Sequence, residues 1–184
     1  MTTTAMRRIA VVGTTGAGKT MLAKRLATLY GLPHIELDAL FHGPNWTPAT
    51  PGEFRARVAA AVAAEAFVVD GNYGAARDLV WPRLDTLVWL DYSLPVVFAR
   101  TLQRTLRRIL LQEELWNGNR ERARTAFASR QSLLLWVLQT HGRRRREYPA
   151  FIAEYAVPNV IRLRSPHDTA RWLDELVIPP AVRG

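Results

Sequence analysis

Apolar residues occur along this chain in short continuous runs that alternate with longer stretches of helical spacing. The short runs are rich in β-branched residues and predict buried strands at Arg8 to Val12, Pro33 to Leu37, Phe67 to Asp70, Thr86 to Asp91 and Val160 to Leu163. The spaced stretches predict helices over Gly18 to Tyr30, Thr50 to about Ala66, Arg77 to Trp81, Pro95 to about Leu111, much of Ser129 to His141 and Pro166 to Leu176. Strands that alternate with helices predict an α/β domain, with a mainly parallel sheet and helices on both of its faces.

Two of the helix starts carry the residues that cap helices. Thr50 supplies a hydroxyl N-cap, Pro51 fits the first helical position, and Glu53 lies three residues after the cap. The same pattern recurs from Ser165 to Asp168. These local signals predict where two of the helices begin.

The composition narrows the class of protein without identifying a ligand. A chain of 184 residues with 48% hydrophobic content suffices for a single domain, and the absence of cysteine excludes disulfides and thiolate metal sites. Its apolar stretches are too short for a signal-peptide core or a bilayer span, so we expect a cytoplasmic protein without a membrane partner. The net charge of +9 comes mostly from arginine, since Lys19 and Lys24 are the only lysines, and it suits nucleotides, acidic metabolites or nucleic acid as partners.

The clearest motif lies between the first predicted strand and the first predicted helix. Residues Gly13, Thr14, Thr15, Gly16, Ala17, Gly18, Lys19 and Thr20 match the pattern G-x-x-x-x-G-K-[ST], in the strand, loop and helix context that its mechanism requires. The glycines allow backbone N–H groups to turn inward around phosphates at a helix N-terminus. In such loops the lysine, here Lys19, contacts the β- and γ-phosphates, and the hydroxyl, here of Thr20, binds Mg²⁺. The motif therefore predicts binding of a nucleoside triphosphate, which we take to be ATP, together with Mg²⁺.

Aspartates follow three of the predicted strands, at the end of the sheet where ligands bind in open α/β folds. We expect Asp38 to position or deprotonate an acceptor hydroxyl, and Asp70 to hold Mg²⁺ through water or to contact the acceptor. For Asp91, which precedes Ser93 and Pro95, capping of the following turn is favoured over a catalytic role. A capping role is the alternative for the other two aspartates.

Arginines cluster after the fourth predicted strand. Near-helical spacing relates four of them, and four more follow: Arg100, Arg104, Arg107, Arg108, Arg120, Arg122, Arg124 and Arg130. One or two would close over the γ-phosphate and stabilise the charge of the transferring phosphoryl group, and a solvated helix face is the alternative for each. The run from Arg143 to Arg146 cannot face one site as a whole, and we expect a solvated face there, with attraction of substrate or nucleic acid as the second interpretation.

Several short segments together resemble one family of P-loop proteins. They are the phosphate loop, Leu37-Asp38, Val69-Asp70-Gly71-Asn72-Tyr73, Trp89-Leu90-Asp91 and the arginine-rich helix that follows. Over nearly its whole length the chain resembles the adenylate-kinase-like proteins known as topology modulation proteins. This resemblance implies a three-layer P-loop fold with five parallel strands in the order 2-3-1-4-5. It also implies a single domain, 1–184, with a helical lid at about 107–146, and Mg·ATP as the phosphoryl donor.

The resemblance to P-loop kinases also implies roles for individual residues. Asp38 falls where related kinases hold the acceptor, and the lid arginines that contact phosphate would include Arg104, Arg108 and Arg120. The turn that begins at Arg164 would lie near the adenine.

One departure from adenylate kinases concerns the acceptor. Adenylate kinases carry Asp-Gly-Phe-Pro-Arg after the third strand, whereas this chain has Asp70-Gly71-Asn72-Tyr73-Gly74. AMP is therefore a poor candidate for the acceptor. We expect Asn72 and Tyr73 to hydrogen-bond a different polar acceptor, with charge supplied by Arg77 or Arg83.

The motifs leave three hypotheses for the function. The first is a Mg·ATP-dependent kinase that transfers the γ-phosphate to a small polar acceptor. The second is an ATP-binding regulator or slow ATPase that contacts nucleic acid, with a steep salt dependence of binding. The third, by analogy within the superfamily alone, is a toxin-like kinase that acts on a cell-wall or antitoxin-paired target. The identity of the acceptor is not predicted, because specificity depends on a few loop contacts.

Overall fold

The part of the chain that the structure describes contains a sheet of five parallel strands. The computed structural model of the chain describes residues 6–112, 114, 116–119 and 133–177. Its strands are β1 (Arg8–Gly13), β2 (His34–Glu36), β3 (Phe67–Asp70), β4 (Thr86–Leu90) and β5 (Asn159–Leu163). They pair in the order β2-β3-β1-β4-β5, and every pair is parallel. The strand order implied by the resemblance is therefore confirmed.

Helices connect the strands on both faces of the sheet. They are α1 (Lys19–Tyr30), α2 (Leu37–Phe41), α3 (Pro51–Ala61), α4 (Arg77–Val80), α5 (Leu94–Leu110), α6 (Leu133–Glu154) and α7 (Pro166–Val177). Single turns of 3₁₀ helix occur at Pro44–Trp46, Gly74–Ala76, Trp81–Arg83 and Trp116–Gly118. Within the part of the chain that the structure describes, no helix has the length and apolar character that a membrane span requires.

Alternate residues of the central strand point to opposite faces of the sheet and enter two separate cores. Ile9 and Val11 belong to a core shared with residues of α1, α5 and α7. Ala10 and Val12 belong to the other core, in which α3, the turn at Trp81 and the second half of α6 pack. The removal of this apolar surface from water on both faces drives the three-layer arrangement.

The predicted helix caps are present in the structure. The Thr50 hydroxyl accepts a hydrogen bond from the Glu53 backbone N–H at 3.3 Å, and a Glu53 carboxylate oxygen accepts one from the Thr50 N–H at 3.0 Å. At α7 the Asp168 N–H donates to the Ser165 hydroxyl at 3.0 Å. Both helices begin where the sequence predicted.

Three predicted boundaries differ from the observed ones. The second strand ends at Glu36 rather than Leu37, and Asp38 lies in the first turn of α2. Helix α3 ends at Ala61 instead of about Ala66, because residues 63–65 are exposed and bury nothing that would hold another turn. Helix α6 continues through Pro149 to Glu154, so the arginine run that follows His141 is helical.

Candidate active site

The phosphate loop follows β1 and is closed from one side by α5. Gly13, Gly16 and Gly18 have positive φ angles of 150°, 83° and 94°, a region that side chains rarely adopt. A Cβ atom on Gly16 would lie 2.2 Å from the Thr101 hydroxyl oxygen and 2.5 Å from the Val97 carbonyl oxygen of α5. The second and third loop glycines lie immediately before α1, in the kind of turn that forms an anion-binding nest at a helix N-terminus. The loop therefore has a conformation that suits phosphate.

Charged side chains from distant parts of the chain surround Lys19. The side chain is half-buried, and its ammonium nitrogen donates to the Thr14 carbonyl oxygen at 3.4 Å. Burial lowers the pKa of Lys19 from its ordinary 10.5 to about 8. Two cations, Arg144 and Arg104, contribute to this decrease, and two carboxylates, Asp38 and Asp70, oppose it. The structure thus brings three predicted site residues and one unpredicted arginine to the lysine of the loop.

Asp38 is held in place by an aromatic hydroxyl. The Tyr73 O–H donates a hydrogen bond to Asp38 Oδ1 at 2.7 Å. Burial of the phenol and the nearby Asp38 charge raise the Tyr73 pKa above its ordinary 10, so the hydroxyl keeps its proton. A Cβ on Gly71 would lie 2.8 Å from the Leu37 Cβ, so this glycine allows the end of β3 to approach α2 closely. The predicted substrate-binding pair Asp38 and Tyr73 is thus brought together.

Asp70 and Thr20 are the two residues that the sequence predicted to hold Mg²⁺. Asp70 ends β3 and is 3% exposed, with Oδ1 3.5 Å from the His34 Nε2 atom. Thr20 lies in the first turn of α1 and is partly exposed. Among the described residues no group of three or more His, Asp or Glu side chains is placed to hold a metal. One hydroxyl and one carboxylate nevertheless fit Mg²⁺, which takes few protein ligands and relies on water and phosphate oxygens.

Asn72 has a role that the sequence did not predict. Its side-chain Oδ1 accepts hydrogen bonds from the Gly13 N–H at 3.3 Å and from the Tyr148 O–H at 2.8 Å. Its Nδ2 donates to the Gly13 carbonyl oxygen. The amide therefore connects the first residue of the phosphate loop to α6. Its oxygen and its nitrogen both have hydrogen-bond partners within the protein already.

One face of α6 lies against the site, which corrects the interpretation of its arginine run as a solvated face. His141 Nδ1 lies 3.2 Å from the Thr14 hydroxyl of the phosphate loop. Arg144 is half-buried near Lys19, whereas Arg143 and Arg146 are exposed. Helical spacing places residues 141, 144, 145 and 148 on one side, a signal that was available once the helix was known to extend past His141.

Asp91 connects α6 to the edge of the sheet. Its carboxylate forms ion pairs with Arg145, whose Nε lies 2.7 Å away, and with Arg162, whose Nη2 lies 2.6 Å away. The Asp91 side chain is fully buried. The Arg162 guanidinium also stacks over the Trp89 ring, 4.3 Å from its centroid. These contacts favour the structural interpretation of Asp91, as a tie between elements rather than as a turn cap.

The remaining predicted phosphate and adenine contacts are Arg108, Arg120 and Arg164. Arg108 lies one turn beyond Arg104 on α5 and is half-buried, whereas Arg120 is outside the described residues. Arg164 is exposed after β5, where its N–H donates to Asp168 Oδ2 at 3.1 Å beside a second cavity that Trp172 lines. These assignments stay predictions.

A cavity of about 270 Å³ opens beside Asn72 and Tyr73, under the face of α6 that carries Arg144. Arg77 and the aromatic side chains of Trp81 and Tyr148 also line it. The predicted acceptor residues Asn72, Tyr73 and Arg77 thus share one cavity, and Tyr73 also hydrogen-bonds Asp38.

The sheet order and the glycine-rich loop between β1 and α1 together define the fold of the P-loop kinases. Among solved structures, the chain is similar to a shikimate kinase from Acinetobacter baumannii in complex with shikimate, with a TM-score of 0.55 and 17% identity over 94% of this chain and 92% of that one. A shikimate kinase from Bacteroides thetaiotaomicron matches with a TM-score of 0.54 and 20% identity over 94% of this chain and 97% of that one. No family model and no curated protein matches the chain. At these identities the similarity establishes the fold, and the predicted P-loop architecture is confirmed.

Proposed function

We propose that this protein is a Mg·ATP-dependent phosphotransferase that transfers the γ-phosphoryl group to a hydroxyl of a small polar acceptor. The observation that carries the proposal is that two adjacent residues after β3 connect the phosphate loop to Asp38. Asn72 hydrogen-bonds Gly13 of the loop, and Tyr73 hydrogen-bonds Asp38 in the first turn of α2. A phosphate loop holds a donor, and a half-buried carboxylate beside it supplies the place for an acceptor. The same fold in shikimate kinases is consistent with this proposal.

The donor half of the reaction depends on fixed positive charge. The loop N–H groups and Lys19 bind the phosphates, and Arg104 and Arg144 lie close enough to Lys19 to act on the same region. The oxygen atoms of Thr20 and Asp70 would hold Mg²⁺, which when bound neutralises charge on the β- and γ-phosphate oxygens. This positioning and charge stabilisation account for most of the catalysis in phosphoryl transfer.

The acceptor half depends on Asp38. Tyr73 occupies Oδ1, so Oδ2 accepts the hydrogen bond of the acceptor hydroxyl. The acceptor oxygen forms a bond to the γ-phosphorus, the bond from that phosphorus to the β,γ-bridging oxygen breaks, and ADP leaves with the bond's electron pair. The hydroxyl proton passes to the Asp38 carboxylate.

The proposal is tested by coupled measurement of ADP release with Mg·ATP. The panel contains nucleosides, nucleoside monophosphates, sugars, shikimate-like acids and amino-alcohols, with water as the background. One acceptor is expected to raise turnover well above that background. Lys19→Ala is expected to abolish turnover with an unchanged circular dichroism spectrum, whereas Lys24→Ala, a change at an exposed lysine of the same helix, leaves turnover intact.

Unchanged turnover in Lys19→Ala would refute the proposal. A flat panel with intact ATP binding would shift the function to the regulator hypothesis, and titration with DNA or RNA over a range of salt would follow. The regulator hypothesis has less support than the sequence suggested, because two arginines of the basic run are engaged within the protein. Arg144 acts electrostatically on Lys19, and Arg145 forms an ion pair with Asp91. Membership of the topology modulation family, Mg²⁺ dependence and a cytoplasmic location belong to the same proposal.

A further inference from the structure

A buried polar contact joins helix α6 to the phosphate loop. His141 Nδ1 lies 3.2 Å from the Thr14 hydroxyl oxygen, although the two residues are 127 positions apart in the chain. Both residues are buried, with 6% of His141 and 5% of Thr14 exposed. A polar group in the interior costs free energy unless it is hydrogen-bonded, so each of these side chains supplies the partner that the other needs.

The contact is a hydrogen bond between uncharged groups. Burial lowers the pKa of His141 below its ordinary value of 6.5; Arg145 adds to this decrease and Asp91 opposes it. The imidazole is therefore neutral at physiological pH, and its ring nitrogens offer one donor and one acceptor. A bond of this kind has a preferred direction and length, so it fixes where Thr14 lies relative to α6.

Thr14 in turn holds other parts of the phosphate loop. Its carbonyl oxygen accepts hydrogen bonds from the Ala17 N–H at 3.1 Å and from the Lys19 ammonium group at 3.4 Å. Ala17 is only 1% exposed. A change in the orientation of Thr14 would move this carbonyl away from both donors. The His141 contact therefore acts on a residue on which the shape of the loop depends.

His141 is itself held by an anchored helix. Arg145 follows it by one helical turn, so both side chains leave the same face of α6. Arg145 Nε lies 2.7 Å from Asp91 Oδ1, and the Asp91 side chain is fully buried. This ion pair attaches that face of α6 to the residue that follows β4. The imidazole therefore reaches the loop from a fixed support.

We propose that His141 is a positioning residue for nucleotide binding, which keeps the phosphate loop in its binding conformation by holding the Thr14 hydroxyl. A loop that already has this conformation loses less conformational freedom when phosphate binds, and its affinity is higher for that reason. The inference rests on the proposed function, because the loop is the donor site of that function. A residue outside the loop motif thereby contributes to donor binding.

Substitution of both partners separates positioning from stability. Thr14→Val and His141→Leu each leave one buried polar group without its partner, so each is expected to lower the free energy of unfolding. The double variant has two apolar side chains there and is expected to recover most of that stability. Its affinity for MgADP is nevertheless expected to stay about tenfold below that of the wild-type protein, because the bond that orients Thr14 is gone. Urea unfolding and calorimetric titration measure the two quantities. Recovery of affinity together with stability would overturn the inference.

Two further variants are matched comparisons. Thr14→Ser keeps the hydroxyl and is expected to bind MgADP more tightly than Thr14→Val, which keeps the shape of the side chain. Thr140→Val removes a buried hydroxyl next to His141 that donates to the Trp136 carbonyl oxygen within α6 at 2.7 Å, and it is expected to leave MgADP affinity unchanged. Equal affinities of Thr14→Ser and Thr14→Val, or a loss in Thr140→Val as large as that in His141→Leu, would overturn the inference.

Hydrogen exchange tests the loop without nucleotide. The Ala17 N–H donates to the Thr14 carbonyl oxygen, so its exchange rate, measured by NMR in the free protein, reports how firmly Thr14 is held. This amide is expected to exchange about tenfold faster in the double variant than in the wild-type protein, and at the wild-type rate in Thr140→Val. Equal rates in the double variant and the wild-type protein would overturn the inference. Failure of the wild-type protein to bind MgADP would overturn the proposed function, and the Ala17 exchange rate would then decide by itself whether His141 positions the loop.

Discussion

Lys19 illustrates how surroundings set the chemistry of a single residue. Its pKa of about 8 lies close to physiological pH, because burial penalises the charged ammonium and Arg144 and Arg104 repel it. Bound phosphates would add negative charge beside the Lys19 ammonium. Nucleotide binding therefore requires the protonated lysine and is accompanied by proton uptake above neutral pH.

The lowered pKa of Lys19 predicts opposite pH dependences for MgADP affinity and for the stability of the free protein. MgADP affinity is expected to fall as the pH rises through about 8, since the free protein loses the Lys19 proton. The stability of the free protein relative to Lys19→Met is expected to rise between about 8 and 10.5, because the unfolded chain keeps the proton that the folded chain has lost. Calorimetric titration and urea unfolding from pH 7 to 10 measure the two trends. A pH-independent affinity for MgADP would show that Lys19 stays charged.

In the proposed function, acceptor chemistry depends on Asp38. Asp38→Asn is expected to lower acceptor-dependent turnover by about 10²-fold or more, since an amide cannot take the proton. Tyr73→Phe keeps the packed ring and removes the hydrogen bond at 2.7 Å, so a smaller loss of about tenfold is expected. Steady-state kinetics measure both variants, with MgADP binding as the control. An equal loss of turnover and nucleotide binding in Asp38→Asn would assign this residue to the structure or to the metal.

At the scale of elements, the phosphate loop is shaped by its contacts with α5 and α6. Thr101 of α5 donates to the Thr15 carbonyl oxygen at 3.2 Å, and Tyr148 of α6 reaches Gly13 through Asn72. The residues of the loop motif are contiguous in sequence, whereas the residues of α5 and α6 that hold the loop lie far from it along the chain.

A methyl group at Gly16 tests the contact with α5. Gly16→Ala adds a strained φ and a clash with Thr101 and Val97, so stability is expected to fall by about 2–4 kcal/mol and MgADP binding to be lost. Gly52→Ala is the matched control, because a Cβ there meets nothing within 4 Å and φ is outside the left-handed region. It is expected to leave binding unchanged and stability equal or slightly higher. Normal nucleotide binding by Gly16→Ala would contradict the observed loop geometry.

The Tyr148 hydroxyl tests the contact with α6. Tyr148→Phe preserves the buried ring and breaks the 2.8 Å hydrogen bond to Asn72 Oδ1. We expect MgADP affinity to fall several-fold, because Gly13 is held less firmly, with a stability change of about 1 kcal/mol. Calorimetric binding and urea unfolding of the same protein separate the two effects. Unchanged affinity would show that Asn72 holds the loop without Tyr148.

For the whole molecule, the ion pairs of Asp91 join α6 to β4 and β5. Asp91→Asn leaves Arg145 and Arg162 without their shared counter-charge, and we expect a loss of about 2–4 kcal/mol in the free energy of unfolding. Asp78→Asn, which breaks an exposed pair with Arg55, serves as the control and is expected to change stability little. Urea unfolding measures both. Equal, small effects would show that the buried pair adds nothing to the attachment of α6.

Structural features that depend on interactions between near neighbours in the sequence were predicted best. The strands, the capping of α3 and α7 and the phosphate loop depend on neighbours within a few positions, and their type and order were predicted correctly. The second strand was predicted to end at Leu37, because apolar alternation does not reveal the short helix that carries Asp38.

The arginine run of α6 shows the limit of sequence reasoning most clearly. Arg143 to Arg146 are identical in type, and their spacing alone assigns them to a solvated face. Their separate roles depend on the rotation of α6 relative to the sheet, which turns Arg144 toward Lys19 and Arg145 toward Asp91. That rotation results from the packing of Tyr148 and Val137 in the two cores.

The sequence by itself determined the parallel α/β architecture and the phosphate loop, because each is a local pattern of side-chain size, polarity and glycine. The tertiary structure decided which distant residues meet: Asp38 with Tyr73, Asn72 with Gly13, and His141 with Thr14. The physical reason is that residues far apart along the chain lie side by side once the chain packs into a core. Helix α6 and the segment after β3 therefore form the cavity beside Asn72 and Tyr73 from residues that lie far apart in the sequence.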